Sequence, residues 1–320
     1  DGTVTNSERV ISRQRAFLPV PGEARPDWWI VSEVGRRMGW KTAFAYDRPA
    51  DIFREHARLS SYQNGGRRLF DLRNQVAIGN AAYDAMEPFR WGGDAFADGR
   101  FPTADGKARL VTVVQAPLPA PLKQWPMSLN TGRYRDQWHT MTRTGLSPRL
   151  CRHRSEPLVE IHPADAGAAG IAEGDLARLS TPQGSSVYRA ALSDRQRRGE
   201  LFAPIHWTDR QSSLGRTGLL TSPSTDPHSG QPGFKRTPVR IERVATAWRG
   251  FLLARKAPET PVGVHATPVR VEQGWLVEMA GDVDPERLAR TLLPRARSFA
   301  SIASPRGRLR TAIVSGGRLA

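Results

Sequence analysis

The sequence predicts a mixed α+β protein with a β-barrel at its centre, and three features of the chain lead to this prediction. Short alternating apolar runs, separated by turn residues, recur between residues 108 and 245, which is typical of a barrel. Residues 1–107 instead combine runs of helical spacing with a long loop-rich stretch, and the composition changes again after residue 245. We therefore expect three domains, at 1–107, 108–245 and 246–320.

The first domain is predicted to contain two helices. Proline is favoured in the first turn of a helix, so one helix should begin near Pro26 and end near Gly39. Four apolar residues between them have helical spacing: Ile30, Val31, Val34 and Met38. A second helix is expected over residues 52–59, followed by loops over 62–106. The polar cluster at residues 3–9 is expected to form a helix cap or a turn.

The second domain is predicted to consist of short strands with one inserted helix. That helix should begin at Pro163 and end at Gly170. A first strand is expected at 108–114, and the run at 127–130 should end a further strand. The remaining strands are expected at 158–161, 176–181, 186–192, 200–207 and 237–244.

The third domain is predicted to be a small α+β module. The stretches TAWRGFLLARK and DPERLARTLL are amphipathic, which indicates helices. The stretches VRVEQGWLVEMA and RLRTAIVSG resemble strands.

Charge and composition limit the function without defining it. The 320 residues carry a formal net charge of +16, which invites a nucleic-acid hypothesis. The basic residues are spread along the chain, however, and nearly all are arginine. Because the planar guanidinium matches phosphates and carboxylates, recognition of a smaller anion explains the same bias. We expect no nucleic-acid partner.

The cysteine content and the hydropathy pattern exclude further classes. Cys151 is the only cysteine, so an internal disulfide and a zinc or iron–sulfur site with several cysteine ligands are excluded within these residues. Without a thiol partner, Cys151 is expected to be inert. No apolar run approaches the roughly 18 residues of a membrane span. The first residues do not show a charged stretch followed by an apolar one, so they are not expected to be a secretory signal. A cytoplasmic location fits these observations.

The segment LNTGRYRDQWHTMTRTG, residues 129–145, concentrates hydrogen-bonding groups behind a predicted strand. Gly132 should allow a sharp turn there, and such turns present backbone N–H groups to phosphates. Arg133 and Arg135 offer positive charge, and Asp136 could accept from a purine edge or hold an arginine. Taken alone, the composition of the segment favours a capped turn whose charges face water.

A second polar segment, residues 204–241, begins where another strand is expected to end. His206, Trp207 and Asp209 come together there, and Lys235 precedes the last barrel strand. No serine in a nucleophile-elbow motif accompanies His206 and Asp209, so we do not expect a hydrolase. The spacing of His139, His162 and His206 matches no metal-binding motif, so each is expected to make structural hydrogen bonds.

Four separated motifs together resemble a known family. DGTVTNSERV resembles a region of molybdopterin oxidoreductases of the DMSO reductase family, and TGRYRDQWHTMTRTGLSPRL resembles the signature of bacterial assimilatory nitrate reductase catalytic subunits. EIHPADAGAAGIAEGDLARLSTPQGS and TDPHSGQPGFKRTPVRIE extend the resemblance. It covers residues 1–250 and continues more weakly to residue 320.

The resemblance implies a fold, a cofactor and a reaction. The fold is a six-stranded, double-psi-like β-barrel that binds molybdopterin dinucleotide, preceded by part of an α/β catalytic domain. The cofactor is molybdenum held by two molybdopterin guanine dinucleotides (Mo-bis-MGD), and the reaction reduces nitrate to nitrite. The cofactor-binding residues it implies are Thr131, Gly132, Arg133, Tyr134, Arg135, Asp136, Gln137, Trp138, His139, Thr140, Gly218 and Lys235. It also implies that Trp207 lies near the substrate.

Some expected features differ or lie elsewhere. Gly218 stands where the family has an asparagine that contacts the cofactor, and Val10 stands where a second arginine is usual. The 4Fe–4S cluster and the molybdenum ligand are expected upstream of Asp1, so we expect a fragment that is inactive alone, with no catalytic or metal-ligating residue of its own. The 2Fe–2S domain that many relatives carry would lie beyond Ala320, and whether one follows stays open.

Three alternatives stay open at this stage. The electron donor could be ferredoxin, flavodoxin or an NAD(P)H-linked reductase subunit. The substrate could be that of a related molybdopterin enzyme such as formate dehydrogenase. A non-enzymatic module that binds anions or nucleic acid would also explain the charge.

Overall fold

A computed structural model describes residues 2–112, 114, 117, 120–257, 259, 262–292, 298–303, 309–315 and 318–319. The chain divides into two compact units, Asp1–Val114 and Gln115–Ala320. Among the described residues, no helix combines the length and the apolar character needed to span a membrane.

The first unit combines a small antiparallel sheet with three helices. Its elements are β1 (Gly2–Thr5), β2 (Val10–Gln14), α1 (Asp27–Arg37), α2 (Pro49–Ser61), α3 (Asn80–Asp84) and β3 (Phe89–Arg90). The strand order is β1-β2-β3. The core packs α2 against the sheet through Ile11, Phe53, Ala57, Leu72 and Tyr83. Both helices predicted from periodicity are confirmed.

The polar cluster near the start of the chain forms the turn between β1 and β2. The side-chain oxygen of Asn6 accepts hydrogen bonds from the backbone N–H groups of Glu8 (2.9 Å) and Val10 (3.0 Å). Arg9 adopts a left-handed φ of 67°. The sequence analysis predicted a turn but not the strands on either side of it.

The second unit contains a closed six-stranded barrel. Its strands are β4 (Met127–Gly132), β5 (Leu158–Ile161), β6 (Leu176–Thr181), β7 (Gly184–Leu192), β8 (Glu200–Pro204) and β9 (Thr237–Val244), and they close in the order β4-β8-β5-β7-β6-β9. Helix α4 (Pro148–Cys151) lies between β4 and β5, and α5 (Pro163–Ala168) follows β5. The predicted six-stranded barrel and its inserted helix are confirmed.

Alternation of apolar and polar residues explains the barrel core. The inward positions are filled by branched aliphatic side chains, alanines, one methionine and one tyrosine, which belong to one buried cluster. Its largest members include Leu129, Val159, Ile161, Leu179, Tyr188, Leu201 and Val239.

The strand predicted at residues 108–114 is wrong for the part of it that the structure describes. Residues 108–112 and 114 belong to no strand. The side chain of Leu110 is 97% exposed, so this apolar residue of the alternating run faces water. An alternating run becomes a strand only when a partner accepts its backbone hydrogen bonds.

The C-terminal part of the second unit is built on a three-stranded antiparallel sheet. Its strands are β10 (Trp248–Ala254), β11 (Val264–Val271) and β12 (Gly274–Gly281), in the order β10-β12-β11, and α6 (Pro285–Leu292) follows. A second sheet contains β13 (Ser298–Ala303), β14 (Leu309–Ser315) and β15 (Arg318–Leu319). The helix predicted at TAWRGFLLARK is wrong, because this stretch forms β10 and pairs along its whole length with β12.

Candidate functional site

Strand direction places several long connections at one end of the barrel. β4 and β8 are neighbours and run parallel, whereas β9 runs antiparallel to β4. The ends of β4 and β8 and the beginning of β9 therefore lie at the same end of the barrel. We call this the site end, and it carries the connections 133–157 and 205–236. The opposite end carries the connections 162–175 and 193–199.

Gly132 is the last residue of β4, at the site end. Glycine is needed there because a side chain would not fit, and not because the backbone is left-handed. A Cβ at this position would lie 2.7 Å from the ring of Phe202 on β8. The backbone of Gly132 stays in the strand, and its carbonyl accepts a hydrogen bond from the N–H of Ile205 (3.0 Å). The prediction that Gly132 makes a sharp turn is therefore wrong.

Two predicted cofactor-binding residues, 104 positions apart, meet beside β4. The hydroxyl of the buried Thr131 donates to the carbonyl of Phe234 (2.8 Å). The ammonium group of Lys235 donates to the carbonyl of Thr131. Antiparallel pairing of Leu129 with Thr237 brings the residues before β9 to this position. A cation is thus fixed at the end of β4.

The segment that follows β4 exposes an aromatic surface and a second cation. The Trp138 side chain is 57% exposed. Its ring meets the ring of His139 at an interplanar angle of 84° with centroids 4.5 Å apart. The guanidinium of Arg133 lies 5.6 Å from the centre of the Trp138 ring. Among the described residues, no carboxylate forms an ion pair with Arg133.

Arg135 and Asp136 instead pair with each other. The guanidinium and carboxylate lie 2.8 Å apart, and Asp136 also contacts the ring of His153 at 3.0 Å. The hydrogen bond from Arg135 holds the pKa of Asp136 below its usual value. Of the two roles considered for Asp136, the structure therefore favours holding an arginine.

Gln137 and Tyr134 fix the segment from inside. The buried amide of Gln137 accepts from the hydroxyl of Thr144 (2.7 Å) and donates to the carbonyl of Leu150 (3.3 Å). The Tyr134 ring packs edge-on against Trp207, with centroids 5.8 Å apart. Burial raises the pKa of the Tyr134 phenol, so it stays protonated.

The ring of His206 lies beneath the segment that follows β4 and is fully buried. Its Nε2 lies 2.8 Å from the backbone nitrogen of Tyr134, and its Nδ1 lies 2.7 Å from the carbonyl oxygen of His139. The carboxylate of Asp209 pairs with Arg216 instead (3.1 Å). The His206–Asp209 acid–base pair weighed from the sequence is therefore not formed.

The histidines do not assemble into a metal site. The ring of His162 accepts a hydrogen bond from the N–H of Ala164 and caps α5, at the opposite end of the barrel from His139 and His206. Within the described ranges, no three His, Cys, Asp or Glu side chains could hold a metal ion together.

A cavity of about 690 Å³ opens beside the segment. Three stretches form its wall, at 137–155, at 207–211 and at 268–275 of the C-terminal sheet. Trp207 is buried and lines this cavity, as does Cys151. Burial raises the pKa of the Cys151 thiol, which suits the inert role expected for it.

Gly218 lies in a short helical turn, Thr217–Leu219, that also packs at the site end. The buried hydroxyl of Thr217 lies 2.8 Å from the hydroxyl of Tyr188 and donates to the carbonyl of Pro204 (2.5 Å). No atom lies within 4 Å of a Cβ placed on Gly218. An asparagine side chain at this position would therefore have room.

The structural hydrogen bonds expected of His206 are present, but sequence reasoning missed two other residues that shape the site. They are Thr217, through its hydroxyl, and Gln211, whose side chain donates to the carbonyl of Thr140 (3.3 Å). No local pattern identifies them, because each bonds to backbone or side chains that are distant in sequence.

Comparison with known proteins identifies the barrel. Residues 127–238 match the family described as the molydopterin dinucleotide binding domain. A nitrate reductase of Klebsiella oxytoca is 46% identical over 287 residues, which are 88% of this chain and 33% of that protein. A nitrate reductase of Shewanella frigidimarina is 36% identical over 288 residues, covering 79% of this chain and 30% of that protein.

The chain is also similar to a protein with a different assigned activity and to a solved structure. A putative formate dehydrogenase of Bacillus subtilis is 34% identical over 252 residues, covering 76% of this chain and 24% of that protein. The structure of acetylene hydratase from Pelobacter acetylenicus is similar in fold, with a TM-score of 0.53 and 16% identity, over 76% of this chain and 36% of that one. This chain spans about a third or less of the curated relatives it matches. Together these findings support a molybdopterin oxidoreductase.

Proposed function

We propose that this chain is part of a cytoplasmic molybdenum nitrate reductase that reduces nitrate to nitrite in nitrate assimilation. In this proposal it holds part of a bis-MGD cofactor. One observation carries the proposal: residues 131–140 and Lys235 converge at one end of a closed barrel, inside the region that matches the dinucleotide-binding family. The similarity to nitrate reductases supports nitrate as the substrate.

The donor set at the site end fits an anionic dinucleotide. Arg133 is exposed, and no described carboxylate neutralises it, so its guanidinium is available for a phosphate. The ammonium group of Lys235 is fixed by the carbonyl of Thr131 at the strand end. The exposed rings of Trp138 and His139 offer surfaces for a flat heterocycle.

Other predicted residues are assigned supporting roles. The Thr131 hydroxyl already donates to Phe234, so it positions the strand end rather than the ligand. Arg135 is neutralised by Asp136, and Gln137 ties the segment to Leu150. Thr140 lines the cavity, and Gly132 ends β4 next to Arg133.

Bound molybdenum and its pterin ligands would supply the two-electron oxygen-atom transfer, because redox chemistry of this kind belongs to the cofactor. The residues of this chain would bind and orient the dinucleotide and balance its charge. The buried Trp207 would close the cavity wall near the substrate. A cavity of about 690 Å³ is in the range of about 300–1,000 Å³ that ligand pockets occupy.

The proposal assigns the remaining components to other parts of a longer protein. The 4Fe–4S cluster and the molybdenum ligand would be provided there, and this chain alone would be inactive. The domains would be the end of the catalytic domain at 1–107, the barrel at 108–245 and the extension at 246–320. A ferredoxin, a flavodoxin or an NAD(P)H-linked subunit would donate the electrons.

The test is cofactor analysis of the full-length protein purified without oxygen. We expect molybdenum and guanine nucleotide in stoichiometric amounts. Substituting Arg133→Ala or Lys235→Ala should weaken cofactor retention about 10- to 100-fold, because a hydrogen bond to a charged group contributes roughly 1.5–3 kcal/mol. Arg178→Ala, an exposed arginine in the middle of β6, is the matched control and should leave retention unchanged. A wild-type protein without molybdenum or guanine nucleotide would refute the proposal.

Formate dehydrogenase is the second candidate, and the 34% identity to a putative enzyme of that type favours it. Steady-state assays of the same preparation with nitrate and with formate separate the two. Turnover of formate without nitrate reduction would replace the first candidate with the second.

A further inference from the structure

His206 bonds to both ends of the segment 134–139, which contains Trp138 and His139. The N–H of Tyr134 donates to Nε2 at one end, and the carbonyl of His139 bonds to Nδ1 at the other. The ring is fully buried, so water does not replace either bond. One side chain thus sets the distance between two backbone positions that lie five residues apart.

Both partners of the ring have fixed roles in hydrogen bonding. A backbone N–H can only donate, so Nε2 must carry a lone pair. A backbone carbonyl can only accept, so Nδ1 must carry the proton. Only the neutral ring with its proton on Nδ1 satisfies both bonds. A second proton on Nε2 would point at the N–H of Tyr134 and break that bond.

The segment held by this ring is conformationally strained. His139 and Met141 adopt left-handed φ values of 42° and 59°, which residues with a Cβ rarely do. Two neighbours of His206 in sequence also form hydrogen bonds to the residues that flank this segment. Ile205 donates to the carbonyl of Gly132, and Gln211 donates to the carbonyl of Thr140.

We propose that His206 is a positioning residue that does not touch the cofactor itself. It holds the 134–139 segment so that Trp138 and His139, together with the adjacent Arg133, face the cofactor. This inference rests on the proposed function. It assigns the ring a role that neither the motif nor the family match assigns.

The two hydrogen bonds of the ring depend on pH, because both require its neutral form. Burial lowers the pKa of His206, and the nearby Arg133 lowers it further, while the bond to the His139 carbonyl opposes them. Tyr134, Arg133 and His139 are the titratable groups that face the ring from the 131–145 segment. Because the folded pKa lies below the ordinary value, the neutral ring contributes fully above about pH 6.5. Its contribution is lost as the pH falls through the folded pKa.

Three substitutions in the full-length enzyme separate the two bonds. His206→Gln places an amide oxygen near the position of Nε2 and can still accept from Tyr134. His206→Asn places an amide nitrogen near Nδ1 and can still donate to His139. His206→Leu can do neither. His162→Gln is the control, because that ring also accepts a backbone N–H but at the opposite end of the barrel.

Two measurements test the inference, the rate of molybdenum loss on dialysis and the amide hydrogen exchange of the peptide containing Tyr134. We expect His206→Leu to lose molybdenum at least tenfold faster than wild type, His206→Gln to stay within about threefold, and His206→Asn to fall between them. The Tyr134 amide should exchange slowly in His206→Gln and fast in His206→Asn. The control should match wild type in both measurements.

The pH profile gives the readout that a merely structural role would not change. Molybdenum loss from wild type should accelerate as the pH falls through the lowered pKa of His206, which lies below the ordinary histidine value, and His206→Gln should lack this acceleration because its amide does not titrate. If the His206 variants retain molybdenum as wild type does, or if wild type and His206→Gln share one pH profile, the inference is overturned. Wild type without any molybdenum would instead overturn the proposed function.

Discussion

The two ends of the barrel solve the same problem of reversing the chain in different ways. At the opposite end, in connections that are described throughout, the left-handed positions are glycines: Gly170, Gly174 and Gly199. At the site end, Gly230 adopts a left-handed conformation, but so do three residues with side chains: His139, Met141 and Arg236. Glycine adopts this conformation without steric cost, whereas other residues lose roughly 1–2 kcal/mol each.

The difference shows where the barrel accepts strain. At the site end, three residues with side chains occupy positions that would suit glycine, and hydrogen bonds hold part of this backbone. The buried His206 ring bonds to the carbonyl of His139, and Gln211 donates to the carbonyl of Thr140. Strained backbone held by its surroundings is typical of functional sites. At the opposite end, α5 and glycine turns connect the strands with little strain.

The largest effect is expected from removing the space beside Phe202. Gly132→Val should destabilise the barrel by about 3 kcal/mol, because its side chain would overlap the Phe202 ring. The midpoint of urea unfolding measures this loss. Gly167→Ala in α5, where no atom lies within 4 Å of the added Cβ, should instead be neutral or stabilising by up to about 1 kcal/mol. Adding Phe202→Leu should partly rescue Gly132→Val, and equal losses at both ends would contradict the comparison.

An intermediate effect is expected at the buried hydroxyl of Thr217. Thr217→Val keeps the shape but removes the partner of the Tyr188 hydroxyl and the donor to the Pro204 carbonyl. We expect a loss of about 2 kcal/mol in the free energy of unfolding. Thr217→Ser retains the hydroxyl and should lose less than half as much. A Val variant as stable as wild type would show that these bonds do not hold the site end.

The smallest effect is expected from exchanging glycine between the two ends. His139→Gly should relieve left-handed strain and stabilise the barrel by less than about 1 kcal/mol, since glycine also gains freedom in the unfolded chain. Cofactor retention should fall in the same variant, because the exposed ring is lost. Gly170→Ala, with a φ of 65°, should destabilise by about 1 kcal/mol. Calorimetric melting of both variants checks the opposite signs.

The order of elements was largely predictable. All six barrel strands follow alternating runs, and α1, α2 and α5 follow periodicity, proline and glycine signals. Two stretches were misassigned for physical reasons. Residues 108–112 alternate but have no partner strand. In β10, Trp248, Phe251 and Leu252 have helical spacing, yet pairing with β12 makes this stretch a strand, because tertiary contacts override local preference.

The candidate site was predictable only in part. The polar segments at 131–140 and around Lys235 could be identified from the sequence, and the structure brings Thr131 and Lys235 together. The sequence could not predict which arginine is paired with a carboxylate and which is not. Arg135 is neutralised by Asp136, whereas Arg133 lies over Trp138. That distinction depends on side-chain geometry rather than on residue type.

By itself, the sequence determined the strands, turns and helices of the barrel and the segments rich in anion-binding groups. These features depend on interactions between residues close together in the chain. Only the tertiary structure decided that the barrel closes, that Gly132 must be small, and that His206 bonds to Tyr134 and His139. Such contacts join residues about 70 to 100 positions apart, and their existence depends on strand register and burial, which no local pattern encodes.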